Sequence, residues 1–137
     1  MSQENVETLL LASRAASAGT TVQEREAFLS ILDPEIVWIV RGGPADLQGE
    51  FHGIEQAREY YARWASAWAE WSWDIEDLRA QGDVVVTRTW TTARGRGSGL
   101  VLDMRIGQIW TCVAGKVVRY EALPTWEEAL QAVGLSE

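Results

Sequence analysis

An α+β domain built on a mainly antiparallel sheet is the fold class this sequence predicts, with elements in the order ααβαββββα. Three observations carry that expectation. Helix-period segments cluster early in the chain, whereas strand-period segments follow one another later. The late strands are separated by short turn signals, Gln81-Gly82-Asp83, Gly95-Arg96-Gly97-Ser98-Gly99 and Ala114-Gly115, which reverse a chain between neighbouring strands. The length of 137 residues implies a folded surface of about 7,000 Å² against roughly 22,000 Å² unfolded, enough for one core and too little for two. A single domain over residues 5–135 follows.

The elements are justified in order. Val6, Leu9, Leu10 and Ser13 recur at helical spacing, and Gly19 stops that helix. A second helix starts at Thr21, where Thr21 and Glu24 have the spacing of a capping box. Ala27, Phe28, Ile31 and Leu32 form its apolar stripe, and Asp33-Pro34 ends it because the residue before proline disfavours the α region. Glu35 to Val40 is a β-rich strand, and residues 42–52 read as a loop rich in glycine. Gly53 precedes a helix expected to reach about Trp71. Its Ala57, Tyr60, Tyr61, Trp64, Trp68 and Trp71 fall within an arc of roughly 100° at helical periodicity. Strands follow at Ser72–Ala80, Val84–Arg94, Leu100–Val113 and Lys116–Leu123. Thr125 and Glu128 then open a short final helix that Gly134 closes.

Composition excludes several function classes. Twenty acidic residues against twelve basic ones give a net charge of −8, which disfavours nucleic acid and anionic membranes as partners. One histidine and one cysteine cannot build a His/Cys zinc site, and no acidic run has the spacing of a calcium loop, so no metal is expected. The glycines at 95, 97 and 99 join two strands and do not open a helix, so they do not form a phosphate cradle. No cofactor is expected. Cys112 lies in an apolar strand and reads as a small buried hydrophobe. The N-terminus lacks a basic leader and no apolar run approaches about 18 residues, so the chain reads as cytoplasmic.

Candidate site residues come from strand alternation. In Val84–Thr92, Val84, Val86, Arg88, Trp90 and Thr92 share one face and Thr87, Thr89 and Thr91 the other. The apolar-aromatic row is expected to face inward, with Arg88 as an anchor or electrophile for a ligand oxygen. The alternative is a structural arginine, paired with a carboxylate or stacked on Trp90. Met104, Ile106, Gln108 and Trp110 share a face, opposite Asp103 and Arg105, which are free to meet solvent or a partner subunit, and Gln108 and Tyr120 are candidates for inward-facing polar groups. Gln108 and Tyr120 would need partners if buried, from backbone, water or ligand. His52, before the aromatic helix, is either a pH-sensitive acid/base or a loop residue touching a helix start. The tryptophans are either core packing or a stacking wall for an aromatic or terpenoid ligand.

The element order, with Leu32-Asp33-Pro34-Glu35-Ile36-Val37-Trp38, Phe51-His52-Gly53, Gly97-Ser98-Gly99 and the stretch Ala114 to Ala122, resembles the SnoaL-like branch of the nuclear transport factor 2-like superfamily. The resemblance implies a curved sheet wrapped by helices into a cone whose cavity opens at one end. It also implies dimers formed through the outer sheet face, where the threonine row is expected to lie. The superfamily includes ketosteroid isomerases, polyketide cyclases, epoxide hydrolases, dehydratases and non-catalytic binders, so fold alone does not decide function. Matched by eye, the ketosteroid isomerase base falls on Val40 or Arg41, its oxyanion tyrosine near Ala12 and its protonated aspartate near Ile106. The cyclase aspartate falls on Ala122. The epoxide hydrolase arginine matches Arg88, but its two aspartates fall on Trp90 and Ala122, and its water-holding pair on Trp38 and Val40. The usual catalytic aspartates are therefore absent.

Three readings follow. The first is a cofactor-free isomerase, cyclase, dehydratase or hydrolase acting on a hydrophobic, oxygen-bearing small molecule. In it Arg88 polarises oxygen, Gln108 and Tyr120 orient it, and His52 or Asp46 moves protons. Trp38, Tyr60, Tyr61, Trp64, Trp90 and Trp110 form the walls. The second is a non-catalytic binder using the same cone. The third is a dimeric accessory protein whose own tryptophans fill the cavity.

Overall fold

A computed structural model describes residues 22–135 together with residue 7. The expected first helix and the Thr21 cap lie outside the described residues. The described chain runs α1 (Val22–Leu29), β1 (Leu32–Val40), a 3-10 turn (Ala45–Leu47), β2 (Gly49–His52), α2 (Ile54–Ala67), β3 (Trp68–Gln81), β4 (Val84–Gly95), β5 (Val101–Val113), β6 (Lys116–Leu123) and α3 (Trp126–Ala132). The strands form one six-stranded sheet in the order β2-β1-β6-β5-β4-β3. Every neighbouring pair is antiparallel except β1 with β6. The sheet is curved and unclosed, and the α+β cone expected from the sequence is the observed fold.

Two boundaries differ from expectation. The 42–52 loop contains the 3-10 turn and β2, a short edge strand that pairs Val37 with His52 and Trp38 with Phe51. The aromatic helix stops at Ala67, and Trp68 and Trp71 belong to β3. The stop comes from a distant segment. Arg96, in the β4–β5 turn, donates from its backbone N–H to the Ala67 carbonyl (3.2 Å) and from Nη2 to the carbonyls of Ala65 (3.3 Å) and Trp68 (3.2 Å). Those carbonyls are among the orphan acceptors of a helix end. The tryptophan spacing runs on into the strand, so periodicity alone carries the helix too far. At the other end, Gln56 Oε1 accepts from the His52 N–H at 2.7 Å and fixes the chain's entry into α2.

The largest correction concerns β4. Its threonines point inward and its arginine outward. Thr87, Thr89 and Thr91 are buried, whereas Arg88 is exposed. The register requires this arrangement, because residues directly opposite in an antiparallel pair share a face. Thr87 pairs with Gln108, Thr89 with Ile106 and Thr91 with Met104, so the threonines join the inward row of β5. Arg88 pairs with Gly107 and Trp90 with Arg105 on the outer side. The apolar end of the outer row has its own cover. Val86 and Ile109 pack with Trp126, Ala129 and Leu130 of α3 in a second small core. Gly107 lets that helix approach: a Cβ there would overlap the Thr125 carbonyl oxygen and lie 2.6 Å from Ala129 Cβ. As expected, Thr125 caps α3, its Oγ1 accepting from the Glu128 N–H at 3.1 Å.

Candidate functional site: a tryptophan-lined cone with hydrogen-bond donors

The inner face of the sheet and α2 enclose a narrow cavity. Its volume is about 40 Å³, where one water needs roughly 10–15 Å³. A wider groove of about 460 Å³ continues outward from it, sharing Gly43, Pro44, Leu47, Leu102 and Met104 with the cavity. Leu100 and Val101 stand on the rim of that groove, 62% and 69% exposed.

Six of the ten sequence-predicted site residues meet in the cavity: Trp38, Tyr60, Trp64, Gln108, Trp110 and Tyr120. They come from four elements, β1, α2, β5 and β6. Trp38 of β1 stacks on Tyr120 of β6, their ring centroids 3.9 Å apart at 19°, because the two residues are paired in the parallel register. Trp110 of β5 lies edge-on to both. Tyr60 and Trp64 descend from the buried stripe of α2. Tyr61, from the same stripe, instead packs with Phe28, Trp71 and Trp73 in the main core and does not line the cavity.

The other three predicted residues lie elsewhere. Arg88 lines neither cavity nor groove; exposure on the outer face keeps its charge in water and avoids the cost of burying it unpaired. Trp90 is on the same outer face, where Nε1 donates to Asp103 Oδ1 at 2.7 Å and the Arg105 guanidinium sits 4.8 Å from the ring centroid. The arginine stacked on Trp90 is thus Arg105, itself bonded to Glu76 Oε1 at 2.8 Å. His52 has a side chain 63% exposed, with Nε2 3.2 Å from Glu50 Oε1 on the edge strand. It does not reach the cavity.

The floor of the cavity is a buried polar network. The Thr87 hydroxyl donates to Gln108 Oε1 at 2.9 Å and the Thr89 hydroxyl to the same oxygen at 2.5 Å. Gln108 Nε2 donates to Tyr120 Oη at 2.8 Å, and Trp110 Nε1 donates to Thr87 Oγ1 at 3.1 Å. Sequence alternation placed Gln108 and Tyr120 correctly but missed Thr87, Thr89 and Thr91. The signal was present: an inward β5 row forces its cross-strand partners inward too.

Several polar atoms of the lining residues have no partner among the described residues. Trp38 Nε1, Trp64 Nε1 and Thr91 Oγ1 are buried without a hydrogen-bond partner among the described residues. Trp68 Nε1 is in the same condition beside the groove. Buried polar groups are normally satisfied, and three of these four atoms are indole N–H groups, which only donate. Among the described residues the cavity lining contains no aspartate, glutamate, histidine, lysine or arginine. Its ionisable groups are Tyr60 and Tyr120. Burial pushes both phenols well above the usual tyrosine range, opposed at Tyr60 by Arg63 and at Tyr120 by the Gln108 hydrogen bond. Both therefore stay protonated near neutral pH. Burial, aided by Asp83, pushes the Cys112 thiol up to about 11, so it remains an inert thiol.

The SnoaL-like domain family model matches residues 14–120. The chain belongs to the SnoaL-like family. Solved structures of the same fold include a Jannaschia sp. CCS1 protein assigned to the SnoaL-like polyketide cyclases, 22% identical, with a TM-score of 0.77 over 90% of this chain and 86% of that one. TerC, co-crystallised with polyporic acid, is 24% identical, with a TM-score of 0.71 over 88% of this chain and 90% of its own. A protein of ketosteroid isomerase-like fold from Catenulispora acidiphila DSM 44928, in complex with trimethylamine, is 14% identical, with a TM-score of 0.69 over 90% of this chain and 92% of that one. No curated protein matches the chain in sequence. Among the described residues no helix is long and apolar enough to cross a membrane, and no cluster of His, Cys, Asp or Glu could hold a metal ion.

Proposed function

We propose that this SnoaL-like protein binds a small, flat, hydrophobic molecule whose oxygen atoms accept hydrogen bonds, with its oxygen-bearing end in the cone and most of its length in the outer groove. One observation carries the reading: an aromatic cavity whose unpartnered polar atoms are chiefly donors. Aromatic walls supply affinity through buried area and stacking, while Trp38, Trp64 and Thr91 wait for acceptors. That two neighbours of the same fold hold polyporic acid and trimethylamine supports small-molecule binding.

The reading is of a binder. Base-dependent isomerisation or cyclisation needs a group that takes a proton within hydrogen-bond reach; the cavity lining offers two phenols held in their protonated form, and the carboxylate of Asp46 lines only the outer groove. Mass spectrometry of small molecules released by denaturing freshly purified protein tests the proposal. The expected species is neutral, unsaturated and carbonyl-bearing; a polyamine or a sugar phosphate in stoichiometric amount would overturn it.

A homodimer is proposed as well, through the outer face of β3, β4 and β5. The threonine row expected there is inside. The outer face instead carries the Trp90, Asp103, Arg105 and Glu76 cluster, in which the tryptophan and the arginine are residue types enriched at interfaces. Sedimentation at micromolar concentration should give twice the 15.3 kDa chain mass; a single monomeric species would refute it.

A further inference from the structure

The network under the cavity has a direction. The 2.5 Å contact between Thr89 Oγ1 and Gln108 lies within the O–H···O range and below that of N–H···O. The atom facing the threonines is therefore the amide oxygen, and it is saturated by two hydroxyl donors. The amide nitrogen must then face Tyr120, to which it donates at 2.8 Å. Tyr120 Oη acts as acceptor in that bond, and among the described residues its own proton meets no acceptor.

We infer that Gln108 is a specificity-determining positioning residue: by holding its amide N–H against Tyr120, it turns the Tyr120 hydroxyl proton into the cavity and makes the site select a carbonyl over an N–H donor. This rests on the binding role proposed above and sharpens it to one atom. The threonine–glutamine–tyrosine chain polarises in a single sense, and successive bonds of one sense reinforce one another. The unpartnered indole N–H of Trp38, whose ring is stacked on Tyr120, adds a second donor to the same part of the cavity. A ligand carbonyl satisfies these donors. A ligand N–H placed there meets hydrogen against hydrogen and leaves buried donors unsatisfied, the costly half of the hydrogen-bond asymmetry.

The test compares three flat bicyclic probes of similar size by ligand-observed NMR titration: 1-indanone, an acceptor; indole, a donor; and indane, a hydrocarbon with neither group. The wild-type protein should bind 1-indanone about tenfold more tightly than indole, the worth of roughly one satisfied against one unsatisfied hydrogen bond. Tyr120→Phe and Gln108→Met should each reduce that preference several-fold, with indane affinity changing less than that of 1-indanone. The indane control separates the effect from loss of cavity shape, and Gln108→Glu, whose carboxylate would accept the Tyr120 proton and reverse the preference, serves if the methionine variant does not fold.

Preference lost in Tyr120→Phe but intact in Gln108→Met would overturn the role given to Gln108. Equal binding of 1-indanone and indole by the wild type would overturn the inference and leave the hydrophobic cone standing. Failure of all three probes to bind would overturn the cavity as a ligand site, and the inference with it. Bound 1-indanone supplies a second readout: its carbonyl stretch should move to lower frequency in the wild type and return towards the unbound value in both variants.

Discussion

Replacing Gln108 by methionine is expected to destabilise the fold about two to three times as much as replacing Thr89 by valine. The side chain of Gln108 makes three buried hydrogen bonds, at 2.9, 2.5 and 2.8 Å. Each contributes about 1 kcal/mol net. Methionine fills nearly the same volume, so little cavity cost is added. The hydroxyls of Thr87 and Thr89 keep their 3.3 Å contact with each other, and Thr87 keeps the bond from Trp110, which limits the penalty for orphaned groups. The loss should be about 2–3 kcal/mol. In Thr89→Val the amide oxygen still accepts from Thr87, no buried group is left wholly unpartnered, and the cost should stay near 1 kcal/mol. Urea unfolding with unchanged m-values measures both. Equal costs for the two variants, or less than about 0.5 kcal/mol for Gln108→Met, the range of ordinary surface changes, would show that the network is not the structural floor of the cavity.

Arg88→Ala should leave the affinity for 1-indanone unchanged and shift stability by no more than about 0.5 kcal/mol, as for an exposed side chain away from a site; loss of binding in the same NMR titration would return Arg88 to the interior. Gly107→Ala should cost about 3 kcal/mol or more, because the new methyl meets the Thr125 backbone of α3 and the helix must lift from Val86 and Ile109; a variant as stable as wild type in urea would refute the close approach. Alkaline stability has a definite sign. Burial raises the folded pKa of both tyrosines above the ordinary tyrosine value of about 10, so between the two the unfolded chain binds fewer protons than the folded one. Stability should be complete below about pH 10 and fall steadily as pH rises beyond it; a urea midpoint that stayed flat through pH 11 would contradict the burial.

Much of the fold was legible because period and punctuation agree along most of the chain. The β6 and α3 boundaries follow from Ala114-Gly115, the Thr125 cap and Gly134, all local signals. The α2–β3 junction was not local. Its stop is made by Arg96, 29 residues beyond Ala67, while the tryptophan spacing on both sides of the junction suits a helix. The edge strand β2 was hidden for a related reason. Its four residues pair only with β1, and a segment so short and rich in glycine has too little alternation to announce itself.

The cavity was legible in its aromatic walls and not in its polar lining. Alternation divides β4 correctly into two rows, but it does not say which row faces in. Hydrophobicity favours the row with Val84, Val86 and Trp90, and that preference fails because the row has two different covers: α3 over Val86, and the Asp103–Arg105 cluster over Trp90. The threonine row faces in because every inward hydroxyl except that of Thr91 is spent on Gln108 or on a neighbouring threonine. An interior of this kind carries hydrogen-bond direction without carrying charge. Moving Arg88 out and leaving Tyr120 in changes the electrophile at the cavity floor from a fixed cation to a neutral phenol. A neutral donor discriminates by the presence of a lone pair, not by the sign of a ligand's charge. The preference among ligands should therefore be insensitive to ionic strength, whereas selection by an arginine would weaken with added salt.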